Sequence, residues 1–377
     1  MELLQTSGLP FPGDRINRGR RIAVMMSGGV DSSVTAWLMK ERGWNVVGIT
    51  LRIPLADAVS IRRPCCGRDA SLVARDLDIP HYLLDVEEEF EKEVICRFRS
   101  SYLEGRTPNP CVDCNTIIKF GLVWDFLGST FGIDYLATGH YARVLRSGVE
   151  AFLARGQEER RDQSYFLYGI PRERLRFLEL PLGEIEKPEV RRLAVKAGLH
   201  VAEKPDSMEL CFAAEGNYRK ILSFEPHPGH FVDPAFHVLG DHPGIENYTI
   251  GQRSGLSAKD GKPLYVRRIE KETGRIIVTR REELYEKVVS ATGVNVLMPS
   301  IYRDGGRFFG KIRSGGELSE CFLRAAGAKE MEVVFSEPQF APAPGQRLVL
   351  YDEDGRVAAG GELSRSENSR STAWPGN

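Results

Sequence analysis

What this 377-residue sequence lacks narrows its reading first. No apolar run approaches the roughly 18–20 residues that a membrane-spanning helix needs, so no membrane partner is expected. The opening stretch MELLQTSGLPFPGDRINRGRR has no apolar segment ahead of its basic cluster and does not read as a secretory signal. Charge of one sign is missing too: 51 Lys+Arg meet 52 Asp+Glu, a net charge of −1, which excludes a uniformly basic coat but not a local basic face. The seven cysteines, Cys65, Cys66, Cys96, Cys111, Cys114, Cys211 and Cys321, are odd in number and scattered, unlike the disulfide framework of a small secreted fold. A reducing cytoplasm is the expected compartment. Neither GxxxxGK[ST] nor GxGxxG occurs, no second CxxC completes a zinc site, and no internal repeat is present. The remainder, 42% hydrophobic and 27% charged, is an ordinary globular mixture with room for more than one domain.

Of what is present, Arg21–Met26 is a short apolar run bounded by Ser27-Gly28-Gly29, the pattern of a buried strand. Asp31 to Arg42 spaces Val34, Trp37 and Leu38 as on one helix face, with Gly43 as its stop. Further strands are expected at Asn45–Ile53, His81–Val86 and Asp134–Thr138, and a helix over Arg68–Asp78. Strands alternating with helices imply an α/β fold, a parallel sheet covered on both faces, running to about Leu210. Pro226, Pro228, Gly229, Pro234, Pro243 and Gly244 then crowd a stretch with little periodicity. Beyond Val288, short alternating runs at Arg307–Arg313, Glu330–Phe335 and Arg347–Tyr351 are parted by turn residues, as in a small antiparallel barrel or sandwich. The expected division is a polar extension (1–20), the α/β domain (21–212), a small loop-rich central domain (213–287), a β-barrel (288–363) and a disordered tail (364–377).

Two strings carry chemistry. Ser27-Gly28-Gly29-Val30-Asp31-Ser32-Ser33 lies between a strand and a helix, where glycines let successive N–H groups face an anion and the helix N-terminus adds partial positive charge. The serine hydroxyls add donors, and Asp31 could hold a magnesium ion bridging phosphates. Pro108-Asn109-Pro110-Cys111-Val112-Asp113-Cys114-Asn115 is the second. Its prolines hold an extended approach, and Asn115 is placed to cap a helix whose apolar positions are Ile117, Ile118, Phe120 and Leu122. Cys114 is therefore expected at a helix N-terminus, where thiolate is favoured, with Cys111 at CxxC spacing. Cys211, after Lys204-Pro205-Asp206-Ser207-Met208-Glu209-Leu210, would alone read as a small core residue.

The SGGVDSS string resembles the PP-loop ATP pyrophosphatases, which transfer AMP onto a substrate oxygen. In order after it come PNPCVDCN, ATGHYAR (Ala137–Arg143), RDQSYFLYGI (Arg161–Ile170), KPDSMELCF (Lys204–Phe212), GQRSGL (Gly251–Leu256) and PGQ (Pro344–Gln346). Together these closely resemble the tRNA-specific 2-thiouridylases, the MnmA family, from about Arg21 to Leu363. The resemblance implies a PP-loop parallel-sheet domain, a small central domain and a C-terminal antiparallel β-barrel. It implies an ATP-dependent sulfurtransferase that adenylates O2 of the wobble uridine of tRNA and then replaces the adenylated oxygen with sulfur. Met26, Ser27, Gly28, Gly29, Val30, Asp31, Ser32, Ser33, Leu51 and Gly139 would bind ATP and its Mg2+. Cys211 would carry a persulfide, supplied by a cysteine desulfurase or relay protein, and Cys114 would act as the nucleophile that releases the sulfur. Asn109, Pro110, Cys111, His140, Arg161, Asp162, Gln163 and Gln346 match positions that contact tRNA.

One position departs from the family pattern PNPDxxCN: Cys111 stands where an aspartate is usual. Cys111, Cys114 and Cys211 make three thiols, the number that holds an iron–sulfur cluster with one open iron in related PP-loop RNA thiolases, so a [4Fe-4S] cluster and a persulfide both stand as sulfur carriers. Cys65 and Cys66, in a loop, read as incidental thiols or as sulfur relays, and Cys96 and Cys321 as packing residues. Another PP-loop adenylating enzyme would explain SGGVDSS but not PNPCVDCN. A non-catalytic tRNA-binding scaffold would explain the basic clusters (Arg172, Arg174, Arg176; Arg191, Arg192, Lys196; Arg303, Arg307, Lys311, Arg313) but not the phosphate loop.

Overall fold

The computed structural model describes residues 1–5, 20–54, 67–206, 210–212, 227–257 and 260–364. Cys65, Cys66 and the tail beyond 364 therefore lie outside the described residues. Contacts divide the chain into two units, Met1–Cys96 with Pro110–Leu222 and Arg97–Asn109 with Ser223–Asn377.

The first unit holds strands β1 (Glu2–Gln5), β2 (Arg21–Met25), β3 (Asn45–Arg52), β4 (His81–Asp85), β5 (Tyr135–Ala137), β6 (Ala142–Ser147), β7 (Glu150–Arg155) and β8 (Leu178–Glu179). Its main sheet runs β1-β4-β3-β2-β5-β8. The pairs β4–β3, β3–β2, β2–β5 and β5–β8 are parallel, as the βα alternation requires. The polar N-terminal stretch adds β1 antiparallel to β4, and β6–β7 form a separate hairpin inside the stretch read as continuous α/β. Helices α1 (Val30–Glu41) and α2 (Gly67–Asp76) cover the sheet. Val34 and Met39 of α1 and Val73 of α2 are wholly buried in one apolar cluster with Ile22 and Val24 of β2. Gly43 follows the last turn of α1 with φ 78°, the left-handed stop expected of it.

The expectation of a loop-rich central region is corrected by the second unit. Strands β9 (Gly229–Val232), β10 (Val238–His242), β11 (Arg253–Ser257), β12 (Pro263–Glu270) and β13 (Arg275–Thr279) form a five-stranded sheet ordered β10-β9-β13-β12-β11. Register shifts at Val238/Gly240, Arg253/Ser257 and Val266/Arg268 interrupt the alternation from which strands are read, and hid them. After it, β14 (Tyr285–Val296), β15 (Arg307–Lys311), β16 (Ser319–Ala326), β17 (Glu330–Phe340), β18 (Arg347–Tyr351) and β19 (Val357–Leu363) close into the expected antiparallel barrel. Cys321 is fully buried in it as a packing residue, its thiol pushed up to about 12 by burial. Cys96, by contrast, is exposed at the first turn of helix Cys96–Leu103 rather than packed, because that helix turns Phe98 and Tyr102 inward instead. Among the described residues no helix is long and apolar enough to cross a membrane.

One buried polar pair fixes the strand end from which the phosphate loop departs. Thr50 Oγ1 donates to the Met26 carbonyl at 2.7 Å and lies 2.8 Å from His81 Nε2. The hydroxyl has a single proton, so His81 donates to it through Nε2–H. Burial lowers its pKa from 6.5 to about 4. A histidine depressed on folding contributes stability present above pH 6.5 and lost as pH falls from there to about 4, here on the order of 3 kcal/mol. Urea denaturation at pH 7.5 and 4.5 is expected to show that loss in the parent protein and a smaller loss in His81→Gln; equal losses would assign the acid sensitivity elsewhere.

Candidate active site

The C-terminal ends of parallel strands are where open α/β sheets bind ligands, and the expected nucleotide residues gather there. Met26 follows β2, Leu51 is the penultimate residue of β3, and Gly139 follows β5. The loop is held from within: Ser27 N–H donates to Ser32 Oγ at 3.1 Å, and the Ser32 and Ser33 hydroxyls donate to the Gly29 carbonyl at 3.2 and 2.8 Å. Gly29 caps α1, whose first-turn N–H groups face the loop opening. A Cβ on Gly139 would lie 3.0 Å from Ser32 N and 2.9 Å from the Asp31 carbonyl carbon, so only glycine lets this strand end seat against the cradle.

Asp31, expected to face a metal, is engaged by the protein itself. Lys187 Nζ, on a side chain 5% exposed, donates to both Asp31 oxygens at 2.7 and 2.8 Å, and Tyr141 OH donates to Oδ1 at 2.7 Å. The same ammonium lies 2.8 Å from Asp206 Oδ1. Asp206 also receives Arg161 at 3.0 Å and Arg191 at 2.9 Å. Burial opposes ionisation of Asp206, but hydrogen bonds and charge from Lys187 and Arg161 outweigh it and hold the carboxyl below its usual range. Tyr141 is pushed well up by burial and by Asp31, so it stays a donor. Lys204 donates to the Gly28 carbonyl at 2.9 Å and to Asp69 at 2.6 Å. The segment leading to Cys211 is thereby tied to the phosphate loop at two points, Lys204 and Asp206.

The cysteine motif differs from the expectation. Helical structure begins at Pro110, not after Asn115, and continues through π-wound turns over Cys114–Val123 to Phe131. Proline is well suited to a first helical position because its missing N–H has no partner to lose there. Cys114 is therefore one turn inside the helix and buried rather than at its N-terminus. Burial raises its thiol pKa, Asp113 adds to the rise and Lys119 opposes it. Cys111 is exposed as a residue, yet the atoms packed around its sulfur desolvate the thiolate and push it up to about 11. Asn115 does not cap: it is buried, donates to the Phe166 carbonyl at 3.2 Å and accepts from Lys119 at 3.1 Å. Cys211 is exposed in the turn 210–212, where Phe212 packs on Phe90 at 5.6 Å. The helical residues Glu91–Ile95 that follow Phe90 also touch the Cys114 helix. Among the described residues no three His, Cys, Asp or Glu side chains are arranged to hold a metal ion.

Of the residues matched to tRNA contacts, His140 lies 2.7 Å from Thr138 Oγ1 and is kept neutral by burial, its pKa lowered to about 3. Gln163 accepts from Tyr141 N–H at 2.9 Å through Oε1, which leaves its amide nitrogen as donor. Asp162 spends its oxygens on Gly156 N–H, Ser164 N–H and the Ser164 hydroxyl, each at 3.0 Å, and so shapes the turn that carries Arg161 and Gln163. Asn109, buried, and Gln346 belong to the other unit, where Gln346 Nε2 donates to the Thr107 carbonyl at 3.0 Å. Sequence reading missed Lys187, Tyr141 and Lys204. Tyr141 and Lys204 stood inside motifs already quoted; Lys187 had no local signal beyond the Pro188 that follows it. Replacing Lys187 by Met is expected to leave two carboxylates facing each other and to destabilise the protein by about 3 kcal/mol in chemical denaturation; a change below about 1 kcal/mol would mean that solvent already screens them.

Three family profiles match in succession: one described as tRNA methyl transferase HUP domain over residues 20–215, one as tRNA methyl transferase PRC-barrel domain over 220–280, and one as aminomethyltransferase β-barrel domain over 288–362. The tRNA-specific 2-thiouridylase MnmA of Methylobacterium nodulans is 43% identical over 371 residues, 94% of this chain and 96% of the relative. That of a Bradyrhizobium species is 44% identical over 94% of this chain and 93% of the relative, and that of Carboxydothermus hydrogenoformans 41% over 90% and 97%. A solved U34-tRNA thiolase of Methanococcus maripaludis with a [4Fe-4S] cluster covers 53% of this chain and 63% of its own at 18% identity and a TM-score of 0.34, too shallow a likeness to transfer chemistry. With relatives above 40% identity spanning nine-tenths or more of both chains, this chain belongs to the tRNA-specific 2-thiouridylase family.

Proposed function

We propose that this chain performs tRNA-uridine 2-sulfurtransfer with the SGGVDSS loop as adenylation site, Cys211 as sulfur carrier and Cys114 as releasing nucleophile. The observation that carries this reading is the double tie, through Lys187–Asp206 and Lys204–Gly28, between the phosphate loop and the segment ending in Cys211. It holds Lys204 and Asp206, seven and five residues before Cys211, against the phosphate loop. ATP binds at the loop with its magnesium as part of the substrate, and the serine hydroxyls and first-turn N–H groups of α1 receive its phosphates. A uridine O2 attacks the α-phosphorus and pyrophosphate leaves, which turns a poor leaving oxygen into AMP. The terminal sulfur of a Cys211 persulfide attacks C2 and AMP departs with the oxygen. Cys114 then attacks the Cys211 sulfur, freeing the thiocarbonyl and leaving a Cys114–Cys211 disulfide that an external thiol reduces.

The burial of the two cysteines suits these roles. Exposed Cys211 is open to a protein sulfur donor such as a cysteine desulfurase or relay protein, whereas buried Cys114 rests as a thiol and is spared stray oxidation until substrate uncovers it. His140, Arg161, the Gln163 amide and the Asn109–Cys111 segment serve as contacts for the tRNA, Gln163 donating to the base edge. No step is assigned to an iron–sulfur cluster, because the described thiols do not form its ligand set.

With ATP, a persulfide donor and unmodified tRNA, the protein is expected to form 2-thiouridine and AMP in equal amounts. Cys114→Ser and Cys211→Ser should each cut thiouridine by at least about 100-fold while still releasing pyrophosphate in a single turnover. Thiouridine formed at the parent rate by either variant, measured by nucleoside mass spectrometry, would remove that cysteine from the scheme.

A further inference from the structure

Four charged side chains of the first unit, Arg161, Asp206, Lys187 and Asp31, form one chain of contacts from the turn that carries Gln163 to the phosphate loop. Arg161 Nη1 meets Asp206 Oδ2 at 3.0 Å, and Asp206 Oδ1 meets Lys187 Nζ at 2.8 Å. The same ammonium donates to the two Asp31 oxygens at 2.7 and 2.8 Å. Both ends of the chain are open to ligands, the Arg161 side chain at 38% exposure and that of Asp31 at 32%. Lys187 between them is 5% exposed, so almost no solvent is at hand to replace a carboxylate that it loses.

The two arginines on Asp206 differ in what else holds them. Arg191 also donates to the Ala202 and Lys204 carbonyls at 2.9 and 3.1 Å, which pins it in place. Arg161 is held by two carboxylates, Asp206 and, at 3.2 Å, Glu158, and a phosphate offers a guanidinium the same kind of oxygen pair. Glu158 also accepts from Lys187 N–H at 2.9 Å, which keeps the start of the helix Lys187–Lys196 in place when Arg161 departs. At the far end, Tyr141 OH gives Asp31 Oδ1 a second donor at 2.7 Å that holds the carboxylate without the ammonium.

We propose that tRNA readies the phosphate loop through this chain: a tRNA phosphate draws Arg161 off Asp206, Lys187 shifts its bonds from Asp31 to Asp206, and Asp31 becomes free for the magnesium that enters with ATP. Lys187 and Asp206 are then positioning residues for adenylation, acting through Asp31. The direction follows from charge. Two carboxylates compete for one buried ammonium, and two guanidinium groups share the charge of Asp206. Taking one guanidinium away strengthens the pull of Asp206 on Lys187 at the expense of Asp31. Without tRNA the ammonium occupies both Asp31 oxygens, so a cation arriving with the nucleotide meets like charge. Nucleotide binding thus waits for the substrate that consumes it.

The proposal rests on Arg161 as a tRNA contact, and its test reads binding rather than turnover. The probe is α,β-methylene ATP with magnesium, titrated by calorimetry into the whole protein with and without unmodified tRNA. In the parent, tRNA is expected to tighten the probe about tenfold. Arg161→Gln, which removes the guanidinium charge, is expected to bind the probe about tenfold tighter than the parent with no tRNA present, a gain that vanishes without magnesium. Its own tRNA affinity falls. Asp206→Asn leaves Lys187 to Asp31, and tRNA should then no longer tighten the probe. A merely structural Arg161 would give no such gain in nucleotide affinity. Parent-like or weaker probe binding by Arg161→Gln in the absence of tRNA would overturn the proposal, as would a parent in which tRNA leaves the probe affinity unchanged. Should Asp206→Asn fail to fold, by thermal melting, Arg161→Gln decides alone. A parent that shows the coupling yet forms no thiouridine would sink the functional reading and leave the coupling standing.

Discussion

A buried ammonium between two carboxylates organises the first unit. Lys187 cannot be desolvated alone, and neither Asp31 nor Asp206 could sit beside the other without it. Because Asp31 belongs to the phosphate loop and Asp206 to the segment that ends at Cys211, one counter-ion serves two functional elements. Arg161 and Arg191 share the load on Asp206, and Tyr141 keeps a donor on Asp31. Moving either carboxylate toward a ligand obliges Lys187 to redistribute its bonds, so the loop and the residue Asp206 are linked by electrostatics rather than by chain proximity.

Cys114 and Cys211 are separated by solvent access. Starting the helix at Pro110 places Cys114 in its second turn, where burial favours the neutral thiol over the thiolate. A thiol at a helix N-terminus would favour the thiolate; burial of Cys114 does the opposite. Cys211 has the opposite surroundings, an exposed turn anchored by Phe212 against Phe90. Cys111 is a third thiol beside the helix start, and the atoms around its sulfur push its pKa up to about 11.

Local patterns in the sequence determined much of this protein. The strands ending at Met25, Arg52, Asp85 and Ala137 and the helix stopped by Gly43 follow from apolar periodicity and turn residues, and each fell within a residue or two of its expected bounds. The phosphate loop was legible because its chemistry is written in consecutive residues, and the barrel because its strands alternate regularly. What needed the tertiary structure was whatever depends on residues distant in the chain. Lys187 meets Asp31 across 156 positions and Gln346 meets Thr107 across 239, and nothing in either neighbourhood signals the partner. The central sheet stayed hidden because bulges break the two-residue period, and the state of Cys114 because burial is a property of what packs around a helix, not of the residues that begin it. Sequence sets which groups are available and how each short segment winds; long-range contact, which fixes desolvation and charge partners, decides which of those groups are exposed, paired or reactive.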